Sequence, residues 1–357
     1  MSRCKNVCHY PVLVLTLLLF GNGMLPSRGL RWQARLDMEV LHEDNVFESL
    51  TAQQADNSSR LSVHFKTASN LSTCQKLHLT YQGGLEGHQK YSRENRFIQH
   101  ASLGYTLSPF KNVMVGLYTQ DRWRKFFQED RGYHWIKPDI YLQVVLPYGW
   151  IIRGTSSLAW VRYFGTDWFD FNSRSDGLTL IWHRSSKFQI FSGYFTELMK
   201  FERTAYGYDY MTPEGNFLPK NEKQRNLVRH LSFGFEWMGW LLCRMKASYE
   251  WQFSNSYGYE YEQPVLELML VKLMPWSLTM RFYGRYQNKQ YLDSLDPFQI
   301  SPYIESEENT RFLCDLIRDF PAGRSLRLRA GWYRNESPFR NLYYEKTMFS
   351  IGFSQTF

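Results

Sequence analysis

Charged side chains alternate with apolar ones at the start of the region that follows residue 30. Arg31, Arg35, Asp37 and Glu39 stand at odd positions, and apolar residues fill the even positions between 31 and 39. Alternate side chains point to opposite faces of a β-strand, so this stretch predicts a strand with one charged and one apolar face. If the charged faces of many strands enclose water, their ions can attract and orient solutes of opposite sign.

The same alternation assigns further charged residues to one face of their strands. The basic set predicted to line a lumen consists of Arg31, Arg35, Arg244, Lys246, Arg281, Arg285, Arg327 and Arg329. The acidic set predicted to share that lumen consists of Asp37, Glu39, Glu250, Glu267 and Asp315. Two interpretations have equal weight: an excess of positive charge could favour anions, or the charges could pair across strands and stabilise a filled lumen.

Three histidines raise the question of catalysis or metal binding. His64, His78 and His100 lie on consecutive strand patterns with the same parity. Hydrolysis would require a serine and an orienting polar group beside one histidine, and the sequence pairs no serine with any of them. It also lacks a GxSxG elbow, a paired-cysteine zinc motif and a glycine-rich phosphate loop. We therefore predict no enzyme activity, no catalytic residue, no cofactor and no metal.

The N-terminal segment predicts export. Arg3 and Lys5 precede an apolar run over residues 11–20, and the small residues Ser27 and Gly29 follow. This order is typical of a secretory signal peptide, which places the domain boundaries at 1–29 and 30–357. Cleavage after Gly29 or earlier, after residue 23, would fit, and an uncleaved anchor is the alternative.

From residue 30 onward the alternation continues to the last strand, which predicts an all-β chain. Mean hydropathy is −0.46 although aromatic residues make up 17% of the chain, and there is no second apolar run of the length a membrane helix needs. A transmembrane β-barrel remains compatible, because its lumen-facing residues dilute the apolar ones. A secreted soluble sandwich or propeller is the alternative, but no blade-length repeat is visible.

Short turns alternate with longer polar segments, as in barrels with short periplasmic turns and long extracellular loops. The short turns are predicted at 68–73, 108–112, 146–150, 184–187, 238–240, 274–277 and 321–324. Seven turns and two chain ends on the same side predict a transmembrane antiparallel β-barrel of about 16 strands, within 14–16. The longer polar segments include 204–226 and 288–309.

Aromatic residues mark both the turns and the last strand. Tryptophans predicted at the membrane interface are Trp150, Trp182, Trp237, Trp240 and Trp276. The final strand places on one face Phe349, Ile351, Phe353 and the terminal Phe357. This ending resembles the C-terminal assembly signal of Gram-negative outer-membrane barrels, and the resemblance implies outer-membrane lipid and the barrel-assembly machinery as partners.

Two further stretches resemble known barrels. Residues 42–49, HEDNVFES, resemble the start of barrel porins found with polysaccharide-export genes. The hairpin over 333–353 is similar to the closing hairpin of those porins, and to that of barrels that follow helical repeats and move surface lipoproteins. This chain shows no helical-repeat portion before its barrel pattern, which weakens the second comparison.

Three functions are compatible with this sequence. The first is an outer-membrane, porin-like channel for small polar, anionic or sugar solutes, with a partly basic lumen. The second is a closed barrel that acts as a surface binding or assembly component of polysaccharide or lipoprotein export. Segments 200–226 or 291–309 would plug its lumen. The tyrosine-rich segments 206–211 and 254–262 would bind sugars or pack the loops against each other. The third, an outer-membrane hydrolase, has the least support. The basic charge forms no aromatic stripe for nucleic acid, and a homo-oligomer remains open because no interface is marked.

Overall fold

The computed structural model describes five stretches of the chain, which are residues 31–47, 53–209, 216–293, 310–335 and 344–357. The predicted signal peptide, residues 1–29, lies outside the described residues. So does most of segment 291–309, one of the two segments considered above as a plug.

Strands make up most of the described residues. In chain order they are β1 (Arg31–Glu43), β2 (Asp56–Asn70), β3 (Gln75–His88), β4 (Arg96–Phe110), β5 (Val113–Phe126), β6 (Gly132–Val145), β7 (Trp150–Tyr163), β8 (Phe171–Ser185), β9 (Phe188–Asp209), β10 (Asn216–Met238), β11 (Leu242–Ser254), β12 (Tyr261–Met274), β13 (Leu278–Gln287), β14 (Gln290–Tyr291), β15 (Thr310–Phe320), β16 (Arg324–Asn335) and β17 (Tyr344–Thr356). Two single-turn 3₁₀ segments lie between strands, at Ser92–Glu94 and Pro147–Gly149. No helix in the described ranges is long and apolar enough to cross a membrane.

The sheet closes on itself as an antiparallel barrel. Each strand pairs with its neighbours in sequence, and β1 pairs with both β2 and β17. The two-residue β14 continues the place of β13 beside β12, so the wall consists of sixteen strands. At the seam between β1 and β17, the Phe357 N–H donates to the Ala34 carbonyl oxygen at 2.8 Å. The all-β class and the 16-strand antiparallel barrel predicted from the sequence are confirmed.

The two ends of the barrel differ in their connections. At one end, called here the turn end, the seven links contain two to four residues each and coincide with the predicted short turns. At the other, the loop end, every link has five or more residues. Three turns place two consecutive residues at positive φ, as in type I′ hairpins that match the strand twist: Tyr148–Gly149, Trp276–Ser277 and Ala322–Gly323.

Burial shows which face of the wall is inside. On β1 the Val40 side chain is 59% exposed, whereas its neighbour Glu39 is 6% exposed. On β17 the pattern repeats, with Ile351 exposed at 60% and Ser350 buried. An apolar band of this extent on the outer surface would be unfavourable in water and is stable when lipid covers it. The charged face therefore looks into the lumen.

One predicted loop is corrected by the structure. Residues 204–226 were expected to form a long polar loop, but β9 and β10 extend through most of this segment as a hairpin that reaches beyond the other strands. Alternation fails there because polar side chains such as Gln224 lie on the buried inner face. The register also shifts between Pro219 and Lys223 and again between Lys223 and Arg225. The described part of this segment therefore lengthens the wall.

Candidate functional site

The first group of the lumen wall is built around the Glu39 carboxylate. Arg327 Nη2 lies 2.9 Å from Glu39 Oε1 and the Ser350 hydroxyl donates to the same oxygen at 2.7 Å. Arg60 Nη1 lies 3.5 Å from Glu39 Oε2. These residues come from β1, β2, β16 and β17, so the group spans the seam of the barrel.

A second carboxylate, Glu86 on β3, shares an arginine with the first. Arg60 Nη2 lies 2.8 Å from Glu86 Oε2, and Arg96 Nη2 lies 3.0 Å from Glu86 Oε1. His88 Nε2 is 3.4 Å from the same carboxylate. Arg60 therefore links the Glu39 and Glu86 groups into one network over β1 to β4.

The third carboxylate, Asp315 on β15, holds two arginines. Arg329 Nε donates to Asp315 Oδ1 at 2.6 Å and Arg281 Nε donates to Asp315 Oδ2 at 2.8 Å. The strand register explains this contact, because Asp315 is the direct partner of Arg281 on β13 and of Arg329 on β16. Cross-strand partners on one face lie about 5 Å apart, within reach of a guanidinium.

In all three groups the arginine is more exposed than the acid. The carboxylate side chains of Glu39, Glu86 and Asp315 are between 1% and 5% exposed. The arginines are between 19% and 40% exposed. We call these five residues the arginine arc: Arg60, Arg96, Arg281, Arg327 and Arg329. The buried carboxylates hold the guanidinium groups of the arginine arc in place, and these positive groups form the surface that meets the lumen water.

The other predicted charged residues take varied positions. On β11 to β13, Arg285 Nη1 is 2.8 Å from Glu267 and Lys246 Nζ is 3.9 Å from it. Further pairs join Arg35 to Asp37 at 3.0 Å, Arg244 to Glu236 at 4.0 Å, and Glu250 to His230 at 3.6 Å. Arg31 is exposed at the turn end of β1. Acidic and basic residues are thus interleaved on the same strands.

Sequence reasoning missed Arg60, Arg96 and Glu86. The segments 43–59 and 86–95 read as long polar loops, so the residues at their margins were left out of the strand patterns. The signal was available, since Arg60 and Glu86 stand at alternate positions to Leu61 and Leu85, which are 44% and 49% exposed on the outer face.

The three histidines do not converge on one point. His64 and His100 share a register row with Gln82 between them, and His64 Nε2 lies 2.7 Å from Asp37. His78 lies opposite Gly104, in a different row, and stacks on Tyr118 at 5.8 Å between ring centroids. Within the described ranges, no group of three or more His, Cys, Asp or Glu residues could hold a metal ion.

A hydrophobic cluster, mostly of aromatic residues, occupies the opposite side of the lumen at the loop end. Its buried members are Tyr133, Val161, Tyr163, Phe171 and Phe201. The Arg203 guanidinium lies between the Phe201 and Tyr259 rings, at 4.8 and 4.7 Å from their centroids. In the link before β8, burial raises the pKa of the Asp170 carboxyl above its usual value, although the Tyr163 N–H donates to it.

Exposure in the lumen decreases from the turn end to the loop end. Along β1, Arg31 and Arg35 are exposed, whereas Glu39 and Leu41 are buried. The lumen face of β7 shows the same trend, with Ser157, Ala159, Val161 and Tyr163 all buried toward the loop end. The lumen is therefore most accessible from the turn end and is constricted by packed side chains toward the loop end.

No protein-family model and no curated protein sequence matches this chain. Among solved structures, it is similar to an anion-selective porin from Comamonas acidovorans, with a TM-score of 0.50 and 8% identity over 92% of this chain and 99% of that one. It is also similar to CdiB from Acinetobacter baumannii, with a TM-score of 0.50 and 10% identity over 90% of this chain and 60% of that one. OccAB3 from the same organism gives a TM-score of 0.49 and 10% identity over 92% of this chain and 99% of that one.

At these identities the likeness establishes the fold alone. The chain has the fold of an outer-membrane porin. Together with the exposed apolar band, this fold places the barrel in the outer membrane of a Gram-negative bacterium. Such barrels have short periplasmic turns and longer extracellular loops, so we assign the turn end to the periplasm and the loop end to the outside of the cell.

The predicted interface tryptophans lie near the periplasmic end of this outer-membrane barrel. Trp150 and Trp182 are register partners and stack at 5.7 Å between centroids. Trp237 contacts Trp240 edge-on at 6.3 Å, and Trp276 is 84% exposed. Their part in a membrane girdle stays a prediction.

The predicted assembly signal forms the outer face of the barrel's last strand. Phe349, Ile351 and Phe353 alternate along β17 with buried or half-buried lumen residues, and Phe357 follows the strand with 66% of its surface exposed. Recognition by the assembly machinery stays a prediction.

Several lumen glycines of the barrel lie beneath an aromatic ring of the neighbouring strand. Gly104 is the register partner of His78, and Gly177 is the register partner of Phe195. A Cβ atom added to either glycine would collide with the ring opposite. The absence of a side chain lets each ring lie flat along the wall, which leaves more of the lumen free for water.

Proposed function

We propose that this barrel is a porin-like channel for small polar or anionic solutes. The observation that carries the proposal is the arginine arc, in which five arginines meet the lumen and three carboxylates lie buried behind them. The acids fix the guanidinium groups in place, so the wall is preorganised and does not need to reorder when a solute passes.

The excess of cations would raise the local concentration of anions in the lumen. A charged wall with low-dielectric material behind it focuses its field into the water that it encloses. Small anions would then enter more readily than cations of the same size. One structural neighbour is described as an anion-selective porin, which agrees with this proposal but contributes the fold only.

The proposal can be tested by planar-bilayer conductance of the refolded barrel under a salt gradient. We expect stable conductance steps and a reversal potential that shows anion preference. Arg281→Gln and Arg327→Gln should shift the reversal potential toward neutrality. Each change removes one of two arginines on its carboxylate, since Asp315 retains Arg329 and Glu39 retains Arg60, so neither buried acid is left unpaired.

The matched control is Arg318→Gln. Arg318 belongs to β15 like Asp315, but it has the opposite parity and is exposed on the outer face. The Arg318→Gln substitution removes the same charge from a position outside the lumen, so it should leave the ion preference of the channel unchanged. A cation-selective channel, or equal shifts from Arg318 and Arg281, would contradict the role assigned to the arginine arc.

A second candidate function is favoured by the loss of exposure toward the outer end. A barrel closed by its own packed side chains could serve as a surface binding or assembly component of polysaccharide or lipoprotein export. Inserted, heat-modifiable protein that never conducts would support this candidate and contradict the channel. Loss of an enzymatic activity on replacing a lumen serine or histidine would be required for a hydrolase.

The partners belong to the same proposal. Outer-membrane lipid would cover the apolar band, and the barrel-assembly machinery would recognise the last strand. Small anionic or sugar solutes would be the cargo.

A further inference from the structure

Three cations on the outer face of β9 and β10 have no carboxylate partner among the residues that the structure describes. Lys200, Arg225 and Arg229 are exposed and stand at alternate positions to the buried Phe201, Asn226 and Val228. We call these three cations the outward basic patch. Among the described residues, no ion pair joins any of them to a carboxylate, although nearby cations such as Lys223 have one.

Two of these cations face each other directly. Lys200 on β9 is the register partner of Arg225 on β10. Side chains at such positions start about 5 Å apart, and like charges placed opposite one another destabilise a sheet. An anion bound between them would convert this repulsion into two charge-assisted hydrogen bonds.

The height of the patch identifies the kind of anion. Phe188 and Trp237 are register partners at the periplasmic end of the same two strands. Phe188 precedes Lys200 by twelve positions on β9, and Trp237 follows Arg225 by twelve positions on β10. With a rise of about 3.3 Å per residue and a tilt of about 40°, twelve residues climb about 30 Å. The apolar band of such barrels is about 25 Å tall, so Lys200 and Arg225 lie at the level of the outer-leaflet headgroups.

Below the two cations, most of the outward side chains of β9 and β10 are apolar. Leu198 pairs with Leu227, and Tyr194 pairs with Leu231, on the same side of the sheet. All except Leu227 are more than a third exposed. Arg229 lies between these two pairs, stacked at 5.3 Å on the Phe253 ring, from which its long stem can extend toward the headgroups. The surface therefore offers an apolar bed for acyl chains beneath a cationic site.

A second copy of the chain fits this surface less well. Its outer face would have to supply free carboxylates, but those on the outer faces of β5, β8 and β9 are already engaged. Asp121 lies 2.8 Å from His134, Asp176 lies 3.1 Å from Arg174, and Glu202 lies 2.6 Å from Lys223.

We propose that the outward basic patch binds the phosphate headgroup of an anionic lipid in the outer leaflet, whose acyl chains lie along Leu198, Leu227 and Leu231. Lys200 and Arg225 hold the phosphate from two adjacent strands, and Arg229 contacts it from below. This site is on the outside of the wall and is independent of conduction through the lumen.

The test measures binding of a phosphorylated glycolipid to the folded barrel. Diphosphorylated lipid A is titrated into the full barrel in neutral detergent, and native mass spectrometry counts bound lipid. Because each basic residue near a membrane surface contributes about 1 kcal/mol of attraction to anionic lipid, the double variant Lys200→Gln, Arg225→Gln should bind about 30-fold more weakly. Dephosphorylated lipid A should bind the unchanged barrel with a similar loss.

The matched control removes two outward cations near the periplasmic end, Arg184→Gln and Lys272→Gln, and should bind lipid A like the unchanged barrel. Heat-modifiable gel mobility verifies folding, and Arg229→Gln alone replaces the double variant if that variant does not fold. Equal losses in the control, or equal binding of dephosphorylated lipid A, would overturn the proposal. So would an oligomer that dissociates in the double variant while its lipid binding is unchanged.

Discussion

At the scale of single residues, a buried carboxylate in the lumen wall holds arginines whose positive groups face the lumen water. Asp315 is 2% exposed, yet two guanidinium groups satisfy both of its oxygens. An ion pair of this kind adds little net stability over an apolar core, but removing one partner is costly because a charge is left without compensation. The acid therefore matters chiefly for where it holds Arg281 and Arg329.

Replacing this acid should weaken the barrel. Asp315→Asn leaves two facing guanidinium groups with one neutral acceptor, and we expect the free energy of unfolding to fall by about 3 kcal/mol or more. Denaturant unfolding in lipid vesicles measures the effect. The control is Asp319→Asn on the same strand, because Asp319 is exposed at the periplasmic end and should change stability by about 0.5 kcal/mol or less. Equal stability of both variants would refute the anchoring role.

Much of this site follows from parity in the sequence. Glu39, Arg281, Asp315, Arg327 and Arg329 were all assigned to one face by alternation alone. Which arginine meets which acid could not be predicted, because pairing depends on strand register across the seam between β1 and β17 and across the break between β13 and β15. Long-range register is set by closure of the whole barrel and leaves no local signal.

At the scale of elements, the glycine–aromatic pairs keep bulky side chains against the wall. Phe195 on β9 lies over Gly177 on β8, and the Thr155 hydroxyl of β7 is close to the same position. A side chain at Gly177 would therefore force the ring away from the sheet and into the lumen.

Gly177→Ala should narrow the channel. The added methyl displaces the Phe195 ring, at a cost of about 1–3 kcal/mol typical of overpacking, and we expect lower single-channel conductance. Gly154→Ala provides the matched control, because Gly154 is on the outer face of β7 and a Cβ there meets nothing within 4 Å. Unchanged conductance in Gly177→Ala would show that the ring has room to move along the wall.

The elements themselves were largely predictable. Each short turn was located from its polar or glycine- and proline-containing residues, since strands on both sides alternate clearly where one face meets lipid. Prediction failed for 204–226, where the extension of β9 and β10 carries polar residues on both faces. A strand with polar residues on both faces looks like a loop when alternation is the only signal.

At the scale of the whole molecule, ion preference should depend on salt. The Debye length is about 10 Å at 0.1 M and about 3 Å at 1 M, so the field of the arginine arc extends further into the lumen in dilute salt. We expect the ratio of anion to cation permeability to be clearly higher at 0.1 M than at 1 M, from reversal potentials at a fixed concentration ratio. A ratio independent of salt would indicate selection by size, with no contribution from the wall charges.

The seam between β1 and β17 is the last strand pairing to form when the barrel folds. Residues 35–43 of β1 pair with residues 348–356 of β17, more than 300 positions away along the chain. Hairpins between neighbouring strands can form early, but this last pairing must wait until all the others have brought its two strands together, because a contact so distant in sequence carries the largest loop-closure entropy. Glu39 meets Arg327 and Ser350 across that seam, so these contacts form last, although Glu39 can meet Arg60 earlier in the β1–β2 hairpin. A half-built barrel has Glu39 on one open edge and Arg327 and Ser350 beside the other, and only closure of the ring joins them.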